Sequence, residues 1–464
     1  MAITIEQSAN STFNTGAGGS GQEVLLSRAK LVNVYSSTST AQTNFKYLIQ
    51  VEEDGTEIFK SYITPNPSSR CVFDLSPIVK ERLKAPVLET ASDSSSIHEG
   101  LFSTFPFNKC EGGQKIYEIK VGEVYEVSGT LTEFPNLDNH EMLVINGHQD
   151  YKDSFHSAGI QSQDLVPYSC NYTSPVEIEK GFLSKIDANT YKQTKNNEYF
   201  RNLAGASIAV PTRETDLGCI SWIHDDVYVN NDTTELKYEW FNSAGTSLQA
   251  WTYDATDVAN NGQALNATTS DGKVLCSPMH WGALSNNGSF IGTFTNALAW
   301  EYYTIQLIQA DSNVANFKWA FYKDCTGNKN ELYQLAWTNG VGFWDYFTFK
   351  PQTMHEESAS KKQYNTNVGT YGGSDFMLYP FDAGTKNYQV IPKRSWTLSS
   401  GKIDEELSKY LKEIIRAKQV QLITPEGDVL PVIVDTNSTN FYRDRTNKLY
   451  DFQIKVTLAQ SLEG

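Results

Sequence analysis

No stretch of this chain approaches the ~20 consecutive apolar residues that a membrane-spanning helix needs. Its start, MAITIEQSANST, lacks the basic opening and apolar core of a secretion signal. Both absences lead to the expectation of a soluble protein made in the cytoplasm. Basic charge is also in short supply, with Lys and Arg totalling 38 against 54 Asp and Glu, a formal charge of −16. Affinity for a phosphate backbone comes largely from clustered Lys and Arg, so neither nucleic acid nor an anionic membrane is an expected partner. The six cysteines (Cys71, Cys110, Cys170, Cys219, Cys276 and Cys325) form no CxxC pair and have no histidine at metal-ligand spacing. They read as reduced thiols, not as a disulfide framework. Also missing are a GxSxG elbow, a P-loop, an HExxH helix and a Gly-rich dinucleotide fingerprint. With none of these, the expectation is a protein that is not an enzyme and carries no cofactor.

What the chain has in quantity is aromatic: 25 Tyr and 23 Phe, against only 5 Met. That balance suits pleated, half-buried sheets better than helix bundles. At 464 residues the length suggests about three domains. Residues 1–22 are small, polar and Gly-rich, and read as a flexible arm. From residue 23 to 133 strands alternate with turns. Phe45, Tyr47, Ile49 and Val51 share one face, Asp54-Gly55 is a hairpin turn, and Tyr117, Ile119 and Val121 alternate before a bend at Gly122. This pattern suggests a fibronectin III-like β-sandwich.

Residues 134–200 give few periodic signals and read as a connecting region. Strand patterns return over 201–350, a second sandwich with fibronectin III-like or jelly-roll-like character, in which Asn339-Gly340 separates two aromatic strands. Residues 351–387 read as a linker, with some strand at YQV. The last module, 388–464, has the pattern of a small α+β unit. A helix is expected from Ile403 to Arg416, with Ile403, Leu407, Leu411, Ile414 and Ile415 on one stripe, followed by strands at VQLIT, VLPVIVD and KLYDFQIKVTLA.

Candidate sites are few. His148, Asp150 and His156, and separately His224-Asp225-Asp226, bring potential metal ligands close in sequence, but neither spacing matches a zinc pattern; no metal site is expected. Trp222, Trp240, Trp251 and Trp300, in the second sandwich, are candidates for a glycan-stacking platform, with core packing as the alternative. Phe343, Trp344, Tyr346 and Phe347, in one aromatic strand, are candidates for a subunit interface, again with plain core as the alternative.

Several segments together carry a resemblance: FKYLIQVEEDG followed by PNPSSRCVFDLSPIV, then DCTGNKNELYQLAWTNGVGFWDYFTF, then SWTLSSGKIDEELSKYLKEIIRAKQVQLI with VLPVIVD and LYDFQIKVTLA. In these the chain resembles tail-associated structural proteins of tailed bacteriophages, of the type found in marine and Bacteroidota-infecting phages. Thr338 and the Lys-Gln pair before Val420 depart from that pattern. The resemblance implies a virion component of the tail, in its distal part, baseplate or a tail ring. Such a component assembles as a homo-oligomer and docks other virion proteins, and no catalytic residue transfers with the resemblance. Rival readings are a carbohydrate-binding receptor-recognition protein of the tail that contacts host surface glycan, a head decoration or neck protein, and a glycan hydrolase with two carboxylates flanking a cleft.

Overall fold

The structure, a computed structural model, describes residues 3–7, 24–28, 31–88, 97–99, 108–147, 208–224, 234–254, 273–286, 300–309, 318–323, 332–339, 342–366, 369–372, 375–377, 384–403, 411–435, 442–443 and 450–459. The first strands in chain order are β1 (Ile3–Gln7), β2 (Val24–Leu26), β3 (Val32–Ser37), β4 (Lys46–Glu53), β5 (Thr56–Ile63), β6 (Arg70–Asp74), β7 (Val87–Leu88), β8 (Asn108–Glu111), β9 (Gln114–Val127) and β10 (Thr130–Ile145). Next come β11 (Ile208–Thr212), β12 (Cys219–His224), β13 (Thr234–Phe241), β14 (Ser247–Asp254), β15 (Lys273–Pro278), β16 (Tyr302–Gln309) and β17 (Lys318–Lys323). The remainder are β18 (Tyr333–Thr338), β19 (Trp344–Asn365), β20 (Thr370–Gly372), β21 (Asp375–Met377), β22 (Thr385–Ile403), β23 (Val420–Ile423), β24 (Val429–Val434), β25 (Tyr442–Arg443) and β26 (Tyr450–Leu458). Among the described residues the α-helices are short: α1 (Ser76–Val79), α2 (Trp281–Asn286) and α3 (Glu413–Arg416). The protein is mainly β, as its aromatic-rich, Met-poor composition implies. It divides into two compact units, one of residues 1–327 and 336–346, the other of 328–335 and 347–464.

The first unit begins with a sandwich. A three-stranded sheet, β1-β3-β6, faces a five-stranded sheet, β2-β10-β9-β4-β5. Ring contacts join the layers: Phe59 stacks on Phe73 at 5.9 Å, and Tyr35 lies 5.9 Å from His140. Tyr47, Ile49 and Val51 on β4 and Tyr117, Ile119 and Val121 on β9 are fully buried, the inward half of a two-residue period. Asp54 and Gly55 both take positive φ, 49° and 78°, which the twist of a tight hairpin requires. Opposite Gly122, strand β10 carries extra residues, with a register shift between Phe134 and Asp138. A Cβ on Gly122 would collide with the Phe134 carbonyl, so the glycine makes room for the bulge.

The first five residues described do not behave as a free arm. Ile3–Gln7 pairs antiparallel with β3, Ile3 is buried, and Arg70 binds Glu6 at 2.5 Å. The ITIEQ alternation supplies one apolar face for the sandwich edge, which outweighs the polar composition of the whole segment. Residues 8–22 lie outside the described residues.

A second sandwich completes this unit. Its sheets are β11-β17-β16-β13-β14 and β12-β15-β8-β7. The second sheet therefore takes two strands, β7 and β8, from the segment expected to belong wholly to the first sandwich. Similarly, β10 carries the first sandwich to Ile145, into the stretch read as a connector. Tyr238 and Tyr303 cross between the layers: the Tyr238 hydroxyl donates to the Pro278 carbonyl at 2.8 Å and the Tyr303 hydroxyl to the Met279 carbonyl at 2.6 Å. Each phenol fills core while its oxygen satisfies a backbone acceptor, which makes so aromatic an interior tolerable.

In the second unit the sheet order is β22-β19-β18-β23-β24-β26-β25, and β22 also pairs with β26. Six strands thus close into a barrel, leaving β25 as an extra partner of β26. Trp396 and Leu398 from β22, Leu422 from β23, Val432 from β24, and Phe452, Ile454 and Val456 from β26 are buried. In the C-terminal module the described residues carry both helix and strand. Ile403 belongs to β22, residues 404–410 lie outside the described residues, and α3 spans only Glu413–Arg416, with Ile414 buried. Pairing along β26 holds Ile403 opposite Tyr450, so this first residue of the expected helical stripe belongs to a strand.

Candidate assembly interface

Beyond the barrel, β19 and β22 continue as a two-stranded antiparallel ribbon. Pairing runs from Met354 opposite Thr397 to Asn365 opposite Thr385, with one irregularity at Lys362/Gln363. Twelve residues at strand rise make it about 40 Å long. Every residue from Met354 to Asn365 is exposed, as are 385–388, 390 and 392–394 on the return strand. Thr366 N–H donates to the Gly384 carbonyl at 2.8 Å, closing the far end, and β20 and β21 form a small hairpin between the arms.

Sequence chemistry fixes where the ribbon starts and what it offers. At its root His355 stacks on Trp396 at 5.3 Å, Glu357 pairs with Arg394 at 2.7 Å and Glu356 with Lys455 at 2.8 Å. The hydrogen bond from Lys455 holds the Glu356 carboxyl below its ordinary range and, in return, raises the Lys455 ammonium. Met354 at the root is exposed, and further out so are the apolar side chains Tyr364, Tyr388 and Val390, Tyr388 by 63%. Phe376 and Met377 on β21 are exposed as well. Beyond the Glu357–Arg394 pair, from Ser358 to Lys393, there are four basic residues (Lys361, Lys362, Lys386, Lys393) and two acidic ones (Asp375, Asp382), a balance of +2 in a chain of −16.

This is the segment read from sequence as a linker. Its strand character had one signal that composition obscured: between Pro351 and Gly369 there is neither Gly nor Pro, and such a run has no punctuation to end a strand. The Ser, Lys and Asn content suggested a loop because half-buried strands alternate, whereas a ribbon exposed on both faces has no buried side to impose that period.

The aromatic strand proposed as an interface lies elsewhere. Phe343, Trp344 and Tyr346 are buried and Phe347 is half-buried, so none of the first three presents a side chain to a partner. Trp344 Nε1 donates to the Pro86 carbonyl at 2.9 Å and its ring meets His98 edge-on at 4.7 Å. The Tyr346 hydroxyl lies 2.8 Å from His98 Nδ1, and Gly218, at φ +147°, packs against the Tyr346 and His280 rings. These residues form core because the strand closes one end of the second sandwich, where polar tips find buried partners. Phe347 packs edge-on against Phe349 at 5.0 Å.

Of the four tryptophans considered for a glycan platform, two belong to the core. Trp240 is fully buried between Tyr238 and Tyr303, and Trp300 is buried against Trp281 at 4.5 Å with Lys323 Nζ 5.1 Å from its ring centre. Trp251 is half-buried on β14, and the Trp222 side chain lies outside the described residues. Sandwich cores need large rings, and that need takes up the two buried tryptophans. His148, Asp150 and His156 lie outside the described residues, as do the His224 side chain and Asp225-Asp226. Among the described residues no group of three His, Cys, Asp or Glu gathers to hold a metal, and no helix is long and apolar enough to cross a membrane.

Two buried histidines stand out electrostatically. Burial holds His140 down to about 4 and His280 to about 3, so both are neutral at pH 7. His280 Nδ1 lies 3.3 Å from Thr212 Oγ1, and His140 Nε2 3.4 Å from the Tyr35 hydroxyl. Four described cysteines, Cys71, Cys110, Cys219 and Cys276, are buried thiols. Burial raises Cys71 to about 12, and Cys219 Sγ donates to the Ile97 carbonyl at 2.8 Å.

No family model and no curated protein matches the chain. Among solved structures it is similar to a chain from the tail of an empty GTA particle, determined by helical refinement with C6 symmetry. The identity is 13%, the TM-score 0.20, and the match covers 29% of this chain and 96% of that one.

Proposed function

We propose that this chain is a non-enzymatic structural component of a tailed-phage tail, which assembles as a homo-oligomer and docks other virion proteins in the distal tail, baseplate or a tail ring. The observation that carries the assembly reading is the ribbon of β19 and β22. A two-stranded hairpin is marginally stable in water on its own, and this one holds Met354, Tyr364, Tyr388 and Val390 in solvent. A partner that covers it would bury that apolar surface and supply the packing the ribbon lacks.

Charge favours a second copy of the same chain as that partner. The outer ribbon carries a +2 balance, whereas the chain as a whole is acidic, and complementary potentials both steer association and set orientation. The placing of the protein in a phage tail rests on the sequence resemblance, and the ribbon supports the assembly half of the reading.

The test is solution mass by light scattering for the full chain and for a variant in which residues 358–391 are replaced by a short turn. A multimer for the full chain and a folded monomer for the shortened one are expected. A full chain that stays monomeric at all accessible concentrations would overturn the reading.

A further inference from the structure

In the middle of the sheet β12-β15-β8-β7, two cysteine side chains point at one another. Strand β8 pairs with β15 over Val274 with Cys110, Leu275 with Lys109, and Cys276 with Asn108. Cys110 and Cys276 are therefore diagonal neighbours on one face of an antiparallel pair, an arrangement whose side chains come within reach across the strands. Both are buried, and their sulfurs are 2.7 Å apart. A disulfide needs about 2.05 Å, so closing the gap takes a movement of about 0.7 Å, within the play of two χ1 rotations. Cys219, in the same sheet, directs its sulfur to a backbone carbonyl instead, and Cys71 belongs to the other sandwich.

We propose that Cys110 and Cys276 are a site of covalent modification, forming an intramolecular disulfide when the protein meets an oxidant of the small-molecule disulfide class. The thiolate of one cysteine attacks a sulfur of the oxidant RS–SR, giving a mixed disulfide and releasing RS⁻. The thiolate of the second then attacks the protein sulfur of that mixed disulfide and expels another RS⁻. One S–S bond forms in the protein and one breaks in the oxidant. The protein loses two electrons and two protons, which RS–SR takes up to leave as two equivalents of RSH.

The position gives the bond a structural purpose. Strands β7 and β8 come from early in the chain and β12 and β15 from much later, with 166 positions separating the two cysteines. The two halves of the sheet meet at the short β8–β15 contact, so a bond there ties them together. A cross-link over so long a loop removes a large share of unfolded-state entropy. This inference does not depend on the assembly reading, although a particle that leaves a reducing cytosol would gain the lock on release.

The full chain is to be expressed in a bacterial cytoplasm made oxidising, and separately purified reduced and incubated with oxidised and reduced glutathione at a sub-denaturing urea concentration. Each sample is then denatured without reductant in N-ethylmaleimide and weighed intact. The expected result by both routes is four alkylated cysteines of the six, with the tryptic peptide Cys110–Lys115 linked to the peptide that contains Cys276. The variant Cys276→Ser should then leave Cys110 alkylated. Six alkylated cysteines by both routes, or a bond that joins Cys110 to any other cysteine, would overturn the proposal.

Discussion

Burial sets the character of individual side chains here, and its consequences can be measured. His140 and His280 are held neutral well below the 6.5 of a free imidazole. The unfolded chain takes up protons as pH falls through 6.5, whereas the folded chain does so only near 4 and 3. Stability is thus fully present above pH 6.5 and declines below it, by up to ~1.4 kcal/mol per pH unit for each histidine. Thermal midpoints recorded between pH 7 and 5 should fall steadily, and less steeply in His140→Phe; a flat profile would contradict the assignment of neutral, buried rings. Trp344→Ala should cost about 3–5 kcal/mol as a large-to-small core change, seen as a lower denaturation midpoint, with the mass of the folded fraction unchanged. At this scale the sequence was ambiguous in a specific way. Phe343, Trp344 and Tyr346 have the composition of both an interface and a core, and only the buried partners at Pro86 and His98 decide between them.

Among elements, those with a buried face were legible and those without one were not. Strands β4 and β9 announced themselves through alternation, and the Asp54-Gly55 turn through its residues. By contrast, the ribbon arms have solvent on both sides, so nothing there enforces a period, and Ile403, expected to open a helix, pairs with β26 instead. Strands β7 and β8 join the second sandwich through partners far along the chain, a choice no local pattern records. If the outer ribbon is the contact surface, Tyr388→Asp combined with Val390→Asp should weaken self-association at least tenfold in sedimentation equilibrium while leaving the thermal midpoint of the monomer within about 2 °C, because both side chains are exposed in the monomer and surface changes cost little. An equal loss of folding and association would assign these residues to internal packing instead.

At the scale of the whole molecule, an acidic, aromatic-rich chain carries a ribbon with net basic arms that is too exposed to be stable alone. Such a combination favours binding between copies, with a rate that falls as salt screens the attraction. Raising ionic strength from 0.05 to 0.5 M should therefore slow assembly without abolishing it, since apolar burial remains. If the ribbon of one copy docks on the body of the next, the head-to-tail contact repeated by identical subunits gives a ring where the rotation closes and a filament where it does not. Negative-stain imaging of the purified full chain, at a concentration where light scattering reports a multimer, tests this most directly. The account predicts ring-shaped class averages of one cyclic symmetry, lost when the ribbon is shortened; monodisperse single copies, or rings that persist without the ribbon, would contradict it.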